Sequence, residues 1–397
     1  MLMNELLHII IPAIVAFVCT CWIRPYILKI AKVKNIVDNP DARKLQRVPV
    51  PLLGGLTVVF GILSGLMCYN VFGDFSDMFP VFAAIIIILI VGLMDDMISL
   101  SARVRFIVEI ILVVYLAHTT GIQLNDFHGL WGIQVIPSYI SLPLTVFAAV
   151  GIINAINLID GVDGYSSAYS VVSCMLFGVM FYYLDNIRMV ALAAIVAASL
   201  LPFFLHNVFG KKSKMYIGDA GTLSLGIIFS TFVMTILFDG TNPIKIQSNL
   251  GLIPFTLAVL CIPVFDTLRV MSVRIARGKS PFSPDKTHLH HLFIELGYSH
   301  IGTTLSIIGI NLTVVLCWFI AYKCGVSINT QLYIVLALGI FMTFILYPFT
   351  KVQIRNNTEI YRWLNKIGKL SHHEGNGFWL FAQKLADKTA EEEVSTL

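Results

Sequence analysis

Eleven apolar stretches, each of roughly bilayer-crossing length, follow one another along this chain, and little but a bundle of membrane helices can be built from them. Their approximate limits are 6–23, 52–72, 79–94, 106–120, 142–159, 166–183, 189–205, 222–238, 252–268, 302–322 and 330–349. The third is short unless it runs on to about Leu100 with a polar end. The second and eighth carry several glycines, which membrane helices tolerate. With 57% of residues apolar and only 13% charged, a soluble domain is excluded, and the expected fold is an all-α polytopic membrane protein of about eleven spans. The seven cysteines lie nearly all inside the apolar runs and read as small core residues, not as a disulfide framework. The first run ends at Trp22-Ile23-Arg24 without a small-residue cleavage site and reads as a retained span.

Orientation follows from the Lys and Arg count in alternate connections. Of the 27 basic residues, 24 fall in 24–51, 95–105, 206–221, 269–301 and the tail from 350; only Arg188, Lys245 and Lys323 fall in the other set. The basic side is therefore expected to be cytoplasmic, with the N-terminus outside. Residues 1–350 read as a transmembrane catalytic domain and 351–397 as a cytoplasmic tail. Trp363 and Trp379 stand among bases in that tail, a pattern that suits either a membrane-surface helix or a solvated segment. The external connection 121–141 resembles a lid of turns. Nothing points to nucleic acid, and a homodimer is left open.

The polar groups gather at that one membrane face. The central stretch is Asn154-Ala-Ile-Asn157-Leu-Ile-Asp160-Gly-Val-Asp163-Gly164, four oxygen-bearing side chains at a three-residue rhythm after an apolar run. On a helix, groups three apart are neighbours and can converge on one cation, and the glycines let the backbone turn away. Capping of a helix end is the plain alternative. Asp95-Asp96 closes the third span. Adjacent carboxylates at a helix C-terminus repel each other and oppose the dipole, which suits proton abstraction or metal contact, although a solvated helix end also explains them. Asp219, between Gly218 and Ala220-Gly221, opens the eighth span and is the strongest single candidate for a metal ligand, with an N-cap role able to coexist. Arg43, Lys44 and Arg47 can grip phosphate oxygens or serve as a positive-inside patch, and Gly54-Gly55 allows close approach to a ligand. His288-Leu-His290-His291 has no cysteine nearby, and its neighbours Arg274, Arg277 and Lys286 suit hydrogen bonding to an anion better than zinc. Acids for a hard cation, bases for phosphate and lipid around them describe phosphoryl transfer to a lipid. An ion-coupled transporter would instead carry its charges within the spans.

Asp95-Asp96, Asn154-x-x-Asn157-x-x-Asp160-Gly-x-Asp163-Gly, Gly218-Asp219-Ala-Gly221 and His288-Leu-His290-His291 together resemble, in that order, the motifs of the polyprenyl-phosphate N-acetylhexosamine-1-phosphate transferases, over about residues 24–299. The His-x-His-His form and the loop from Asp38 to Gly55 are similar to the WecA/TagO group, with Gln46 standing where that group often has His. Those enzymes make undecaprenyl-diphospho-GlcNAc for O-antigen, common-antigen or teichoic-acid synthesis at the bacterial plasma membrane. The resemblance implies a UDP-N-acetylhexosamine bound from the cytoplasm with Mg2+, or Mn2+ in its place. Asp219 and Asn157 would be the metal ligands, and Asp95 or Asp96 would deprotonate undecaprenyl phosphate. Asp160 and Asp163 would shape the nucleotide and metal site. Arg43, Lys44, His288, His290 and His291 would hold phosphates, with Asn154 among the substrate contacts. All these groups are expected to meet in one pocket at the inner leaflet.

Overall fold

The computed structural model describes residues 2–38, 48–72, 76–240, 249–282, 286–373 and 375–395. Their α-helices are α1 (Leu2–Val33), α2 (Gly54–Tyr69), α3 (Phe79–Ile98), α4 (Ala102–Thr120), α5 (Ser138–Leu158), α6 (Tyr165–Tyr183), α7 (Ile187–Phe209) and α8 (Gly218–Ile236). After these come α9 (Leu252–Val259), α10 (Cys261–Ala276), α11 (Leu289–Glu295), α12 (His300–Lys323), α13 (Ile328–Ile340), α14 (Leu346–Arg355), α15 (Glu359–Leu370) and α16 (Gly377–Ser395). A two-residue antiparallel ribbon, β1 (Val37–Asp38) with β2 (Val50–Pro51), sets Val37 opposite Pro51.

The chain is a mostly helical, multi-pass membrane protein. Eight helices among the described residues are long and apolar enough to cross a bilayer, counting α13, the π-helical turn Phe341–Ile345 and α14 as one helix. Three of the eleven expected windows fall outside that set for visible reasons. α2 is only 16 residues long. α4 carries Arg103, Arg105 and Glu109 within its 19 residues. The window at 252–268 is broken, α9 and α10 meeting at 72°. The bend leaves backbone groups unbonded inside an apolar region, where each would be costly. Asn311 of α12 supplies the missing partners: its Oδ1 accepts from Ile262 N at 3.0 Å and its Nδ2 donates to Val259 O at 3.0 Å.

Helix ends also move relative to the apolar windows. α1 does not stop at Ile23 but runs to Val33, with Arg24 only 1% exposed and donating from Nη1 to Ser213 O. Arg24, Lys29 and Lys32, read from the sequence as loop residues, are therefore helical. α3 continues to Ile98, so Asp95 and Asp96 sit in its last turns.

Two compact units make up the chain. The first comprises 1–121, 166–231 and 373–397, and the second 122–165 and 232–372, so the tail divides at 372/373. Within the first unit α1, α2 and α7 pack together, and α16 lies along α7 with Trp379 against Phe209 at 4.8 Å between ring centres. Asp387 of α16 accepts from the successive amides of Lys211, Lys212 and Ser213 at 3.0–3.1 Å and from Ser213 Oγ, an anion cradle filled by the protein's own carboxylate. In the second unit α10 packs on α5, α12, α13 and the π-helical turn.

Candidate functional site

Asp95 and Asp96 are adjacent in sequence but bonded to different elements, both within the first unit. Asp95 accepts from Leu100 N at 2.7 Å, closing the end of its own helix, and pairs with Arg105 of α4 at 2.8 Å. Asp96 reaches across to α8: its Oδ1 accepts from Asp219 N at 2.8 Å and its Oδ2 from Ala220 N at 3.1 Å. A carboxylate on the first free amides of a helix satisfies orphan donors and meets the positive end of the dipole. Asp96, not Asp219, is thus the cap of α8. The approach is close because Gly92 faces that helix end, where a Cβ would lie 2.4 Å from Ala220 Cα. Gly218 makes the entry turn at φ +64°. Asp219 stands in the first turn of α8 with a third of its side chain exposed (33%), its Oδ1 3.8 Å from Arg105 Nη1.

Gly54 and Gly55 approach backbone, not an open ligand space. Their amides donate to Tyr216 O and Ile217 O at 2.9 and 2.8 Å, and Tyr216 N donates to Pro51 O, which fixes the segment leading into Asp219.

The second unit holds the other motif residues. Asn154 and Asn157 lie three apart near the end of α5, whereas Asp160 and Asp163 lie beyond it in a turn closed by Gly164 at φ +77°. The three-residue rhythm is therefore helical for only half its length. Asn154 is buried and donates to Val150 O at 2.9 Å, Asn157 is half-buried and Asp160 exposed. Asp163 Oδ2 stands 2.6 Å from His300 Nδ1, and its carbonyl accepts from Thr304.

His288, His290 and His291 form the start of α11. His288, at the N-cap, places Nδ1 3.0 Å from Asp266 Oδ2, which also accepts from Leu289 N at 3.1 Å. Asp266 Oδ1 takes Arg269 Nη2 at 2.6 Å; that guanidinium also donates to Thr287 O and lies 3.8 Å over the Tyr347 ring. The rings of His288 and His290 are parallel, 5.6 Å apart, and His291 follows at 4.3 Å from His290. His290 is buried against Gly161, where a Cβ would meet its Nε2 at 2.1 Å, so only glycine fits in the 160–164 turn at that point. Burial, then the neighbouring His291 and His288, hold its imidazole well below the ordinary histidine value. It is neutral at pH 7, so it can offer a hydrogen bond but no charge.

Thus Asp95, Asp96 and Asp219 come together in the first unit, and the 154–164 segment meets the histidine helix in the second. Arg43 and Lys44 lie outside the described residues. Arg105, Asp266, Arg269 and His300 are the partners that motif reading missed. Asp266-x-x-Arg269, an opposite-charge pair three apart in an apolar helix, was the one visible signal. No group of three or more His, Cys, Asp or Glu among the described residues is arranged to hold a metal. The donor set nonetheless suits Mg2+, a hard cation that takes one or two protein oxygens and leaves the rest to water and substrate phosphate.

The model for glycosyl transferase family 4 matches residues 78–237, which run from the start of α3 past the end of α8 and so include Asp95, Asp96, the 154–164 segment and Asp219. A Bacillus subtilis (strain 168) protein named as a probable undecaprenyl-phosphate N-acetylglucosaminyl 1-phosphate transferase is 28% identical over 353 residues, 89% of this chain and 93% of its own. Undecaprenyl-phosphate alpha-N-acetylglucosaminyl 1-phosphate transferases of Yersinia pestis and Escherichia coli (strain K12) are 27% and 26% identical over 275 residues, 68% of this chain and 73% and 72% of theirs.

Proposed function

The chain belongs to glycosyl transferase family 4, in the WecA/TagO-like superfamily of polyprenyl-phosphate N-acetylhexosamine-1-phosphate transferases, and on that premise we propose that it moves GlcNAc-1-phosphate from UDP-GlcNAc to undecaprenyl phosphate. An oxygen of the lipid phosphate attacks the sugar-linked phosphorus, the bond between the two phosphorus-bearing groups breaks, and UMP leaves with the electron pair. The product is the first lipid-linked intermediate of a cell-envelope glycan. The finer topology belongs to the same reading: α2, α4 and the α9–α10 pair are further crossings, making eleven, with the basic connections and the C-terminus cytoplasmic.

The observation that carries this reading is the capped end of α8. Asp96 holds the first amides of that helix, so Asp219 is presented, partly exposed, at a helix end whose dipole favours anionic ligands. Asp219 and Asn157 would hold Mg2+, which when bound offsets the charge of the diphosphate. Arg105, fixed by Asp95, places a cation beside Asp219 where phosphate charge would gather. Asp95 or Asp96 takes the proton of the lipid phosphate. Asp160 and Asp163 shape the nucleotide site, with His300 orienting Asp163. His288, His290 and His291 donate hydrogen bonds to phosphate oxygens, aided by Arg43, Lys44 and Asn154.

The test is UMP release by the purified chain with undecaprenyl phosphate and a panel of UDP-N-acetylhexosamines, with and without Mg2+. UMP is expected with UDP-GlcNAc and metal; its absence with every sugar overturns the transferase. Asp219→Ala should lower turnover by about 100-fold or more while the protein still inserts. Asp96→Asn should lower kcat more than it raises KM; equal losses would make it a binding residue.

A further inference from the structure

α15 presents three distinct sides, each with a different environment. On the first, Asn365 Nδ2 donates to Leu296 O at 3.0 Å, and buried Gly368 fits against Leu296 and Tyr298, where a Cβ would lie 2.7 Å from Leu296 O. Just past the helix, Ser371 Oγ accepts from Ser299 N at 2.9 Å, Ser299 Oγ donates to Ser371 O at 2.8 Å, and His372 Nε2 stands 3.1 Å from Gly297 O. The second side is apolar and open: Ile360, Trp363 and Leu370 are 47%, 63% and 68% exposed, with half-buried Ile367 in the same stripe. The third side carries Arg362, Lys366 and Lys369, all exposed and at i, i+4 and i+7.

The position of α15 decides what covers the open side. Only three residues separate the candidate span Ile328–Arg355 from Glu359, and Asn357 among them turns the chain at φ +48°. Three residues reach about 10 Å at most, so α15 stays at the bilayer surface from which that span emerges. An apolar stripe bordered by bases at headgroup depth is the pattern of a helix lying in the interface, and its charge matches anionic lipid. What α15 grips on its first side is the Leu296–Ser299 turn, which joins the histidine helix α11 to His300, the partner of Asp163. Lys351, near the end of the span, holds that same end of α11 through Glu295.

We infer that α15 is a bilayer-surface helix, seated on anionic phospholipid headgroups through Trp363 and the Arg362–Lys366–Lys369 side, that braces the turn carrying His300 and the histidine motif. Seating requires only that Ile328–Arg355 crosses the membrane; the effect on turnover rests on the transferase reading.

The full chain in nanodiscs of phosphatidylcholine, with or without phosphatidylglycerol, tests it. Quenching by lipids brominated on their acyl chains, taken as the difference between wild type and Trp363→Phe, should be present and should deepen with phosphatidylglycerol. Replacing Arg362, Lys366 and Lys369 with Gln should remove that dependence. Wild-type UMP release should rise roughly threefold with the anionic lipid, and that of the triple variant should stay flat. An unquenched Trp363 in inserted protein, or quenching equal in the two lipids, overturns the inference. Shielding of Trp363 that needs a second copy and no lipid also overturns it. If quenching behaves as expected but no UMP forms under any condition, the transferase reading fails while the seating stands.

Discussion

The acid junction of the first unit and the histidine helix of the second are built on opposite principles. Asp96 is held by two backbone amides of α8, and the segment before Asp219 is held by the amides of Gly54 and Gly55. Backbone amides are the donors in every one of those bonds. The start of the histidine helix instead hangs on one buried carboxylate. Asp266 serves His288, Leu289 and Arg269 together, all nearly closed to solvent. The difference teaches where each region fails: the first should lose chemistry before it loses structure, and the second the reverse.

The largest expected effect breaks the second region outright. Asp266→Ala leaves the Arg269 guanidinium buried without its counter-charge, which should cost about 3–5 kcal/mol and appear as a lowered thermal midpoint in detergent. If the midpoint barely moves, the contrast between the regions is lost. Gly161→Ala should cost about 1–3 kcal/mol, because the new methyl displaces the His290 ring; unchanged stability with intact activity would show that the turn can yield.

Acid pH should separate the regions next. His290 is held neutral in the folded chain, while in the unfolded chain it titrates near 6.5. Its contribution is therefore complete above about pH 6.5 and declines as pH falls below it, by at most about 1.4 kcal/mol per pH unit. His290→Gln should flatten that slope between pH 7 and 5, measured by thermal unfolding; an unaltered slope would assign the acid sensitivity elsewhere. The smallest effect belongs to the first unit. Asp387→Asn weakens the α16 carboxylate in its cradle at Lys211–Ser213 and should cost about 1 kcal/mol. Limited proteolysis of the tail should quicken accordingly, with little change in UMP release.

The sequence by itself determined that this chain is a helical membrane protein and which residues stand as candidates at its site. Each apolar window falls on a helix or a bent helix pair, because twenty apolar residues in lipid must satisfy their amides internally and the helix does so locally. The motif residues were legible for a related reason: ionisable groups beside apolar runs stand out. Only the tertiary structure decided that Asp96 caps a helix 123 residues further on, that Asp266 anchors His288, that His300 meets Asp163, and that Arg24 is buried inside α1. Those pairings join segments far apart in the chain. Local periodicity records which face of a helix is apolar, but carries no information about which distant amide or carboxylate that face will meet. The bend at Leu260 is of the same kind, since it stands on an asparagine from another helix.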